Sequence, residues 1–315
     1  MARPARNPLI PTRDGVSPSC VALPVGPWAT VLDFLAERLP TVSREDWAQR
    51  IAQGLVLDEH GRAVPGDHPY RHGQRLYYYR NRPQEPDLPV QARVVFEDAH
   101  LLVAEKPHFM PVTPSGPYVQ QSLLVQLKRL SSCEDLSPIH RIDRETAGLV
   151  LLSKRPQDRN AYQALFRDKT IRKVYQAVAA YRPDMPWPLV HTSRMAEDSQ
   201  HFFKMREVPG EPNSETRIRL LHREGHQALY QLEPVTGKRH QLRVHMNALG
   251  LPIEGDQFYP QVLRGPDETE DFKRPLQLLA QAVAFTDPLT GEHRCFESRL
   301  QLSMQAAIKP ELRWP

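Results

Sequence analysis

Apolar positions recur first at helical spacing and then, from about residue 92, mostly in short runs. Trp28, Val31, Leu32, Leu35 and Leu39 share one helical face behind Pro27, a residue suited to a first helical position, and Pro40 stops the pattern. A second helix is predicted from Ser43, with Asp46 as its capping-box partner, Trp47 and Ile51 on the buried side and Gly54 at its end. Residues 55–57 and 76–79 read as short strands. The prolines and arginines of residues 1–24 predict a mobile arm. Residues 25–80 are then expected to form a small α/β module, and the polar, proline-bearing stretch 81–91 a linker.

A larger domain is predicted over 92–315. Residues 94–96 and 101–103 are strand-like around a turn, 122–130 is helical, and 149–152 is a buried strand. A helix follows from 156 to about 167, and 173–181 alternates so that Tyr175, Ala177 and Ala179 share a face. Residues 218–221 and 228–232 are further strands. Thr236-Gly237 turns into a helix reaching Leu249, closed by Gly250. On that helix Arg239 and Arg243 are one turn apart, and Leu242, Met246 and Leu249 form the apolar side. Residues 260–275 predict a loop, 276–285 an apolar segment and 287–292 a turn. Strands without a regular βαβ rhythm imply an α+β fold with a mixed, largely antiparallel sheet flanked by helices.

Composition adds exclusions. The chain of 315 residues is 40% hydrophobic and 25% charged, as in ordinary soluble domains. No run of eighteen apolar residues occurs, so neither a transmembrane helix nor a membrane partner is expected. Cys20, Cys133 and Cys295 show no CxxC spacing, which predicts neither a disulfide framework nor a zinc site and suits a reducing, cytoplasmic compartment. The N-terminus is too polar for a signal peptide. The 31 prolines punctuate loops. Net charge is +4, yet residues 140–173 hold nine Lys/Arg against four Asp/Glu, a local +5 that leaves the remainder at −1. Such a block fits a polyanion site or a solvated helix face.

Phosphate-loop, dinucleotide and serine-elbow motifs are missing, so no small-molecule cofactor is expected. His222-Arg-Glu-Gly-His226 lacks the HExxH order, and Gly225 predicts a turn between strands, so no metal is expected there. Two segments carry candidate chemistry. In His140-Arg-Ile-Asp-Arg-Glu-Thr-Ala-Gly-Leu149, Asp143 sits between Arg141 and Arg144, which keep a carboxylate ionised whether it is catalytic or a structural ion pair. In Thr236-Gly-Lys-Arg-His-Gln-Leu-Arg-Val-His245, the basic face is either functional or merely solvated.

The first segment resembles the signature around the catalytic aspartate of RluA-type pseudouridine synthases. Four further stretches resemble that family in its order: Phe96 through Glu105-Lys106-Pro107, Arg172-Lys-Val-Tyr-Gln-Ala177, Thr236 through Met246 with Gly250-Leu-Pro-Ile-Glu-Gly-Asp256, and 276–292. The N-terminal module resembles the small RNA-binding domain many members carry. Ala147, Ile142 and Leu279 stand where the family commonly has Ser, Leu and His.

The resemblance implies an isomerase that converts uridines of structured ribosomal or transfer RNA to pseudouridine without cofactor or metal, as a monomer. It implies Asp143 as nucleophile or base, Arg243 as its ion-pair partner, and Tyr175 packed on the target base. Leu242 becomes an apolar wall, and Arg144, Lys238 and His240 substrate contacts. Arg141 fills the space left by a flipped base, a role suited to a planar guanidinium. Attack on the ribose, attack on the base and proton abstraction from the sugar all remain open, and each needs an ionised, desolvated carboxylate. Two competing readings are a non-catalytic RNA-binding protein on the same scaffold and a sugar hydrolase. The latter needs a second carboxylate, for which Glu145 is the neighbour, although two residues along a strand it need not converge with Asp143.

Overall fold

Thr30 and Asp33 set where the first helix begins. In the computed structural model, which describes residues 7, 9–79, 85–201, 203–263 and 270–304, the Thr30 hydroxyl accepts from the Asp33 N–H while the Asp33 carboxylate accepts from the Thr30 N–H. This reciprocal cap satisfies two otherwise unpaired donors. It starts α1 (Val31–Arg38) later than the apolar pattern from Pro27 predicts. Trp28 lies outside the helix and meets Phe34 edge-on at 5.0 Å.

The chain divides into two compact units, Met1–Pro86 with Gly116–Gln120 and Asp87–Ser115 with Gln121–Pro315. In the first, β1 (Ser19–Ala22), α1, α2 (Arg44–Ala52), β2 (Val56–Leu57) and β3 (Arg75–Tyr78) build a two-helix layer on an antiparallel sheet of order β1-β3-β2. Helix α2 follows the predicted cap, with the Ser43 hydroxyl accepting from the Asp46 N–H, and Trp47 and Ile51 are buried with Phe34, Leu35 and Leu76. The backbone N–H groups of Val119 and Gln120 donate to the Glu85 carboxylate, which accounts for residues 116–120 belonging here.

The predicted mobile arm over 1–24 is not what the described part of that stretch forms. Ser19–Ala22 pair with Tyr78–Arg75, and Ile10, Val16 and Leu23 are buried. The prolines there end short apolar segments that the small sheet needs as cover. Residues 1–6 and 8 lie outside the described residues, as do 80 of the predicted module, 81–84 of the predicted linker, 264–269 of the predicted 260–275 loop, and 202 and 305–315 of the predicted catalytic domain. At the far end of that linker Leu88 is buried, and its N–H donates to the Gln121 side chain at 2.9 Å.

The second unit contains β4 (Arg93–Glu97), β5 (Leu101–Lys106), α3 (Leu123–Ser131), β6 (Ser137–Pro138) and β7 (Ala147–Ser153). A single 3-10 turn then leads into α4 (Arg159–Arg167). β8 (Arg172–Ala180), β9 (Leu189–Glu197), β10 (Met205–Val208), β11 (Ser214–Glu224), β12 (Gln227–Pro234), α5 (Gln241–Ala248), β13 (Leu278–Thr286) and β14 (His293–Glu297) complete it. Among the described residues, eleven strands form one sheet along β10-β9-β11-β12-β8-β13-β7-β5-β4, with β14 on β13 and β6 on β7. Every described pairing is antiparallel except β13–β7, so the class is the mixed, largely antiparallel α+β fold expected. β9, β10 and β14 escape the sequence pattern because their apolar residues do not keep to one face: β9 exposes Val190 and β14 exposes Cys295, while β10 has four residues. Gly225 makes the β11–β12 turn with φ +56°.

The parallel join brings the entrance of β7 beside β13, with Gly148 opposite Ala280. Gly148 has φ +116°, and a Cβ there would lie 2.3 Å from the Ala280 carbonyl oxygen. Both the backbone region and the close approach require glycine. Gly148→Ala is expected to cost about 2–4 kcal/mol, the range for a strained, overpacked site, read as a fall in the urea midpoint. A midpoint within error of wild type would show that the two strands can separate without loss.

Candidate active site

Residues 140–146 cross from β6 to β7 without strand structure. The crossing is held from behind. Lys106, at the end of β5, is fully buried, and its ammonium donates to the carbonyls of Pro107 at 2.8 Å and Arg144 at 2.9 Å. His108 Nδ1 donates to the Glu145 carbonyl at 2.7 Å, and the Thr146 N–H to the Asp143 carbonyl at 3.2 Å. His140 accepts from the Leu151 N–H at 3.1 Å and stacks on Phe166 at 4.5 Å. Burial pushes His140 down to about 3 and His108 to about 4, so both work as neutral hydrogen-bonding groups. Asp143 is thus presented on a braced turn, with its side chain 24% exposed.

The opposite wall is α5 and the turn before it. The helix begins at Gln241, not near Thr236, because Gln241 caps the turn: its Oε1 accepts from the Thr236 hydroxyl at 2.7 Å and the Lys238 N–H at 3.0 Å. His240 takes φ +54° at the junction. Arg239 therefore precedes the helix and does not share a face with Arg243. It is exposed and donates to the Lys204 carbonyl at 3.1 Å, whereas Arg243 is 1% exposed.

Arg243 is the electrostatic centre of the site. Its Nε and Nη2 form a fork on Asp256 at 2.8 and 2.7 Å. Its Nη1 faces Asp143 at 3.4 Å and Glu145 at 3.6 Å. Burial works against the charged guanidinium, but Asp256, Asp143 and Glu145 outweigh it and raise its pKa further. Glu145 is likewise held in its charged form: burial opposes ionisation, and Arg243 and Arg144 overcome it. The rings of Phe258 and Tyr259 cover the guanidinium at 5.0 and 5.5 Å, and the Asp256 carboxylate accepts from both their N–H groups.

An open cleft between these walls is lined by Arg141, Asp143, Tyr175, Lys238, His240, Leu242 and Arg243, together with Lys173, Thr236 and Leu278. Tyr175 enters from β8. Its hydroxyl is held protonated, its pKa pushed up by burial and by the Asp143 carboxylate. His240 lies 4.0 Å from Asp143 and hydrogen-bonds the Tyr259 hydroxyl at 3.1 Å. Seven of the eight residues selected from the sequence line this cleft. Arg144 does not: its guanidinium pairs with Glu145 at 3.0 Å and Glu270 at 2.6 Å.

The +5 block also does not form one surface. Lys154 pairs with Glu97, Arg167 with Asp168 and Arg172 with Glu233, and of the nine cations Arg141 and Lys173 line the cleft. Charge summed along a chain includes cations neutralised by partners elsewhere. Glu145 does converge toward Asp143, because the segment is not a strand, but it is 8% exposed and outside the cleft, so it cannot act there as a hydrolase's second carboxylate. Leu279 packs with Ala147, Val178 and Leu229 in the core.

The sequence reading misses Asp256, Lys106 and the capping role of Gln241. The signals were weak but present: Lys106 and Asp256 are charges that follow apolar stretches inside the quoted motifs, each with a glutamate one or two residues before it. Among the described residues, His191, Glu207 and His245 have ligand atoms within 4.8 Å of one another. His245 is not available as it stands. Its Nδ1 bonds the Thr216 hydroxyl and its Nε2 the Ser214 hydroxyl, both at 2.9 Å, a network that seats α5 on β11. No described helix is long and apolar enough to cross a membrane.

The family described as RNA pseudouridylate synthase matches residues 100–248, from β5 through α5. An uncharacterized RNA pseudouridine synthase of Synechocystis sp. is 32% identical over 232 residues, covering 73% of this chain and 79% of its own. Ribosomal large subunit pseudouridine synthase D of Neisseria meningitidis is 28% identical and covers 89% of this chain and 81% of its own. The solved structure of human RNA pseudouridylate synthase domain containing 4 superposes with a TM-score of 0.53 at 26% identity, over 66% of this chain and 88% of that one. A mixed sheet presenting an aspartate to a buried arginine across an open cleft is thus the scaffold of an RNA-modifying isomerase. The chain belongs to the RluA-type family of RNA pseudouridine synthases.

Two consequences concern stability. Removing one partner of a buried pair leaves an uncompensated charge, so Asp256→Ala is expected to lose about 3–5 kcal/mol in urea unfolding; a loss below about 1 kcal/mol would show that Asp143 and Glu145 suffice for Arg243. Burial pushes Lys106 down to about 7 from 10.5, with the Glu145 and Asp143 carboxylates opposing the shift. Between those values the unfolded chain binds more protons than the folded one, so stability contributed at this site rises with pH. Wild type should therefore gain stability from pH 7 to 9 relative to Lys106→Met, and parallel pH profiles would refute the assignment.

Proposed function

We propose that this enzyme isomerises specific uridines of structured RNA after flipping them into the cleft, with Asp143 as the nucleophile or initiating base. The observation that carries the proposal is the Asp143–Arg243 contact inside the cleft. A carboxylate that must be ionised and shielded from water needs a fixed cation, and Arg243 is held immobile by its fork on Asp256. Tyr175 packs on the uracil ring, and its hydroxyl, held protonated, serves there as a hydrogen-bond donor and not as a base. Leu242 supplies apolar contact, and Lys238 and His240 contact the nucleotide. Arg141, exposed at the rim two residues before Asp143, fills the stack vacated by the base.

Large-subunit ribosomal RNA is the substrate class we favour over transfer RNA. The Neisseria relative carries that substrate in its name and aligns with 89% of this chain, so its match extends beyond the catalytic unit. The N-terminal unit is then the second RNA-holding surface. Arg144 is reassigned from substrate contact to bracing the turn, because two glutamates occupy it.

The test is incubation of purified wild type and Asp143→Asn with large-subunit ribosomal RNA and with transfer RNA, followed by chemical mapping of pseudouridine. Wild type is expected to modify discrete sites in the ribosomal RNA, and Asp143→Asn to fall at least about 10³-fold, the scale of losing an essential group in an acting unit. Normal yield from Asp143→Asn would overturn the mechanism, and modification confined to transfer RNA would overturn the substrate class.

A further inference from the structure

The cations around the cleft are not equally satisfied. Arg243 faces three carboxylates. Arg141 and Lys238 are exposed and keep their water. Lys173 has neither. It leaves β8 on the same side as Tyr175, since strand residues two apart share a face, and both line the cleft. Its ammonium carries three donors. Among the described residues its one hydrogen-bond acceptor is the Thr236 carbonyl at 3.4 Å, and no carboxylate lies within ion-pair distance.

A part-buried ammonium with donors to spare is costly unless an anion completes it. Burial, with Lys169 adding, accordingly pushes Lys173 down to about 8. The aspartate in the cleft cannot fill this need, because Arg243 already engages it. Uracil offers neutral carbonyl oxygens, which would accept a hydrogen bond but not offset the charge. A phosphodiester offers both.

We propose that Lys173 seats a backbone phosphate of the nucleotide held in the cleft. This rests on the function proposed above and adds a specificity-determining residue: the site selects a uridine whose flanking phosphate reaches β8. Lys173 then contributes to binding the substrate, and little to the chemical step.

The probe is a short ribosomal RNA fragment containing a uridine that wild type converts; if wild type converts none, the function above fails and not this inference. Lys173→Met is expected to raise KM roughly tenfold while lowering kcat no more than about twofold. It should also reduce the slope of log affinity against log salt by about 0.7–0.9, the loss of one phosphate contact. Lys173→Arg should recover most of the affinity. A charge-neutral methylphosphonate at one linkage flanking the uridine should weaken wild type about tenfold and Lys173→Met no further. Unchanged KM and salt slope, a loss confined to kcat, or full additivity of the methylphosphonate and Lys173→Met at both flanking linkages would each overturn the proposal. If the Met variant folds poorly, Lys173→Gln carries the same comparisons with the methylphosphonate substrate.

Discussion

A guanidinium sealed from water constrains everything around it. Arg243 is 1% exposed, and a cation so placed persists only if carboxylates surround it. Asp256 takes two of its nitrogens in a fork, which fixes the plane of the group and leaves Nη1 directed at Asp143 and Glu145. The direction of that one remaining nitrogen is what the site inherits. Phe258 and Tyr259 close over the guanidinium, and the same Asp256 that holds it also accepts from their backbone, so the cover and the charge are one assembly.

The supports on either side follow from the same requirement. On one side, Lys106 and His108 pin the carbonyls of Arg144 and Glu145, so the turn carrying Asp143 cannot swing away from Arg243. On the other, Gln241 and His245 fasten α5 to β11 through Thr216. Interior polar groups here are mostly engaged in bracing backbone, the expected fate of polar groups that cannot reach water. Lys173 differs because its position on the cleft wall leaves it room for an anion from outside.

Local features read well from the sequence wherever local physics decides them. The Ser43 cap of α2, the turn at Gly225, and the alternation that sends Tyr175 to one face of β8 all depend on neighbours within a few residues. Features set by distant partners read poorly. Arg239 and Arg243 look equivalent at helical spacing, yet the cap made by Gln241 starts the helix between them, exposing one and burying the other. The prolines before β1 suggest an arm, yet a three-stranded sheet needs that edge. The positive block at 140–173 looks like a surface, yet Glu97 and Glu233, far off in the chain, neutralise part of it.

The α+β class, the family and seven residues that line the cleft were legible in the chain, because residue type, period and motif order are properties of its order alone. Which charges cancel is set by the folded arrangement. That Arg243 belongs first to Asp256, that Arg144 is taken by two glutamates, and that Lys173 is left without a carboxylate all depend on distances across the sheet. Coulombic pairing acts through space, and the one-dimensional order of charges does not contain it.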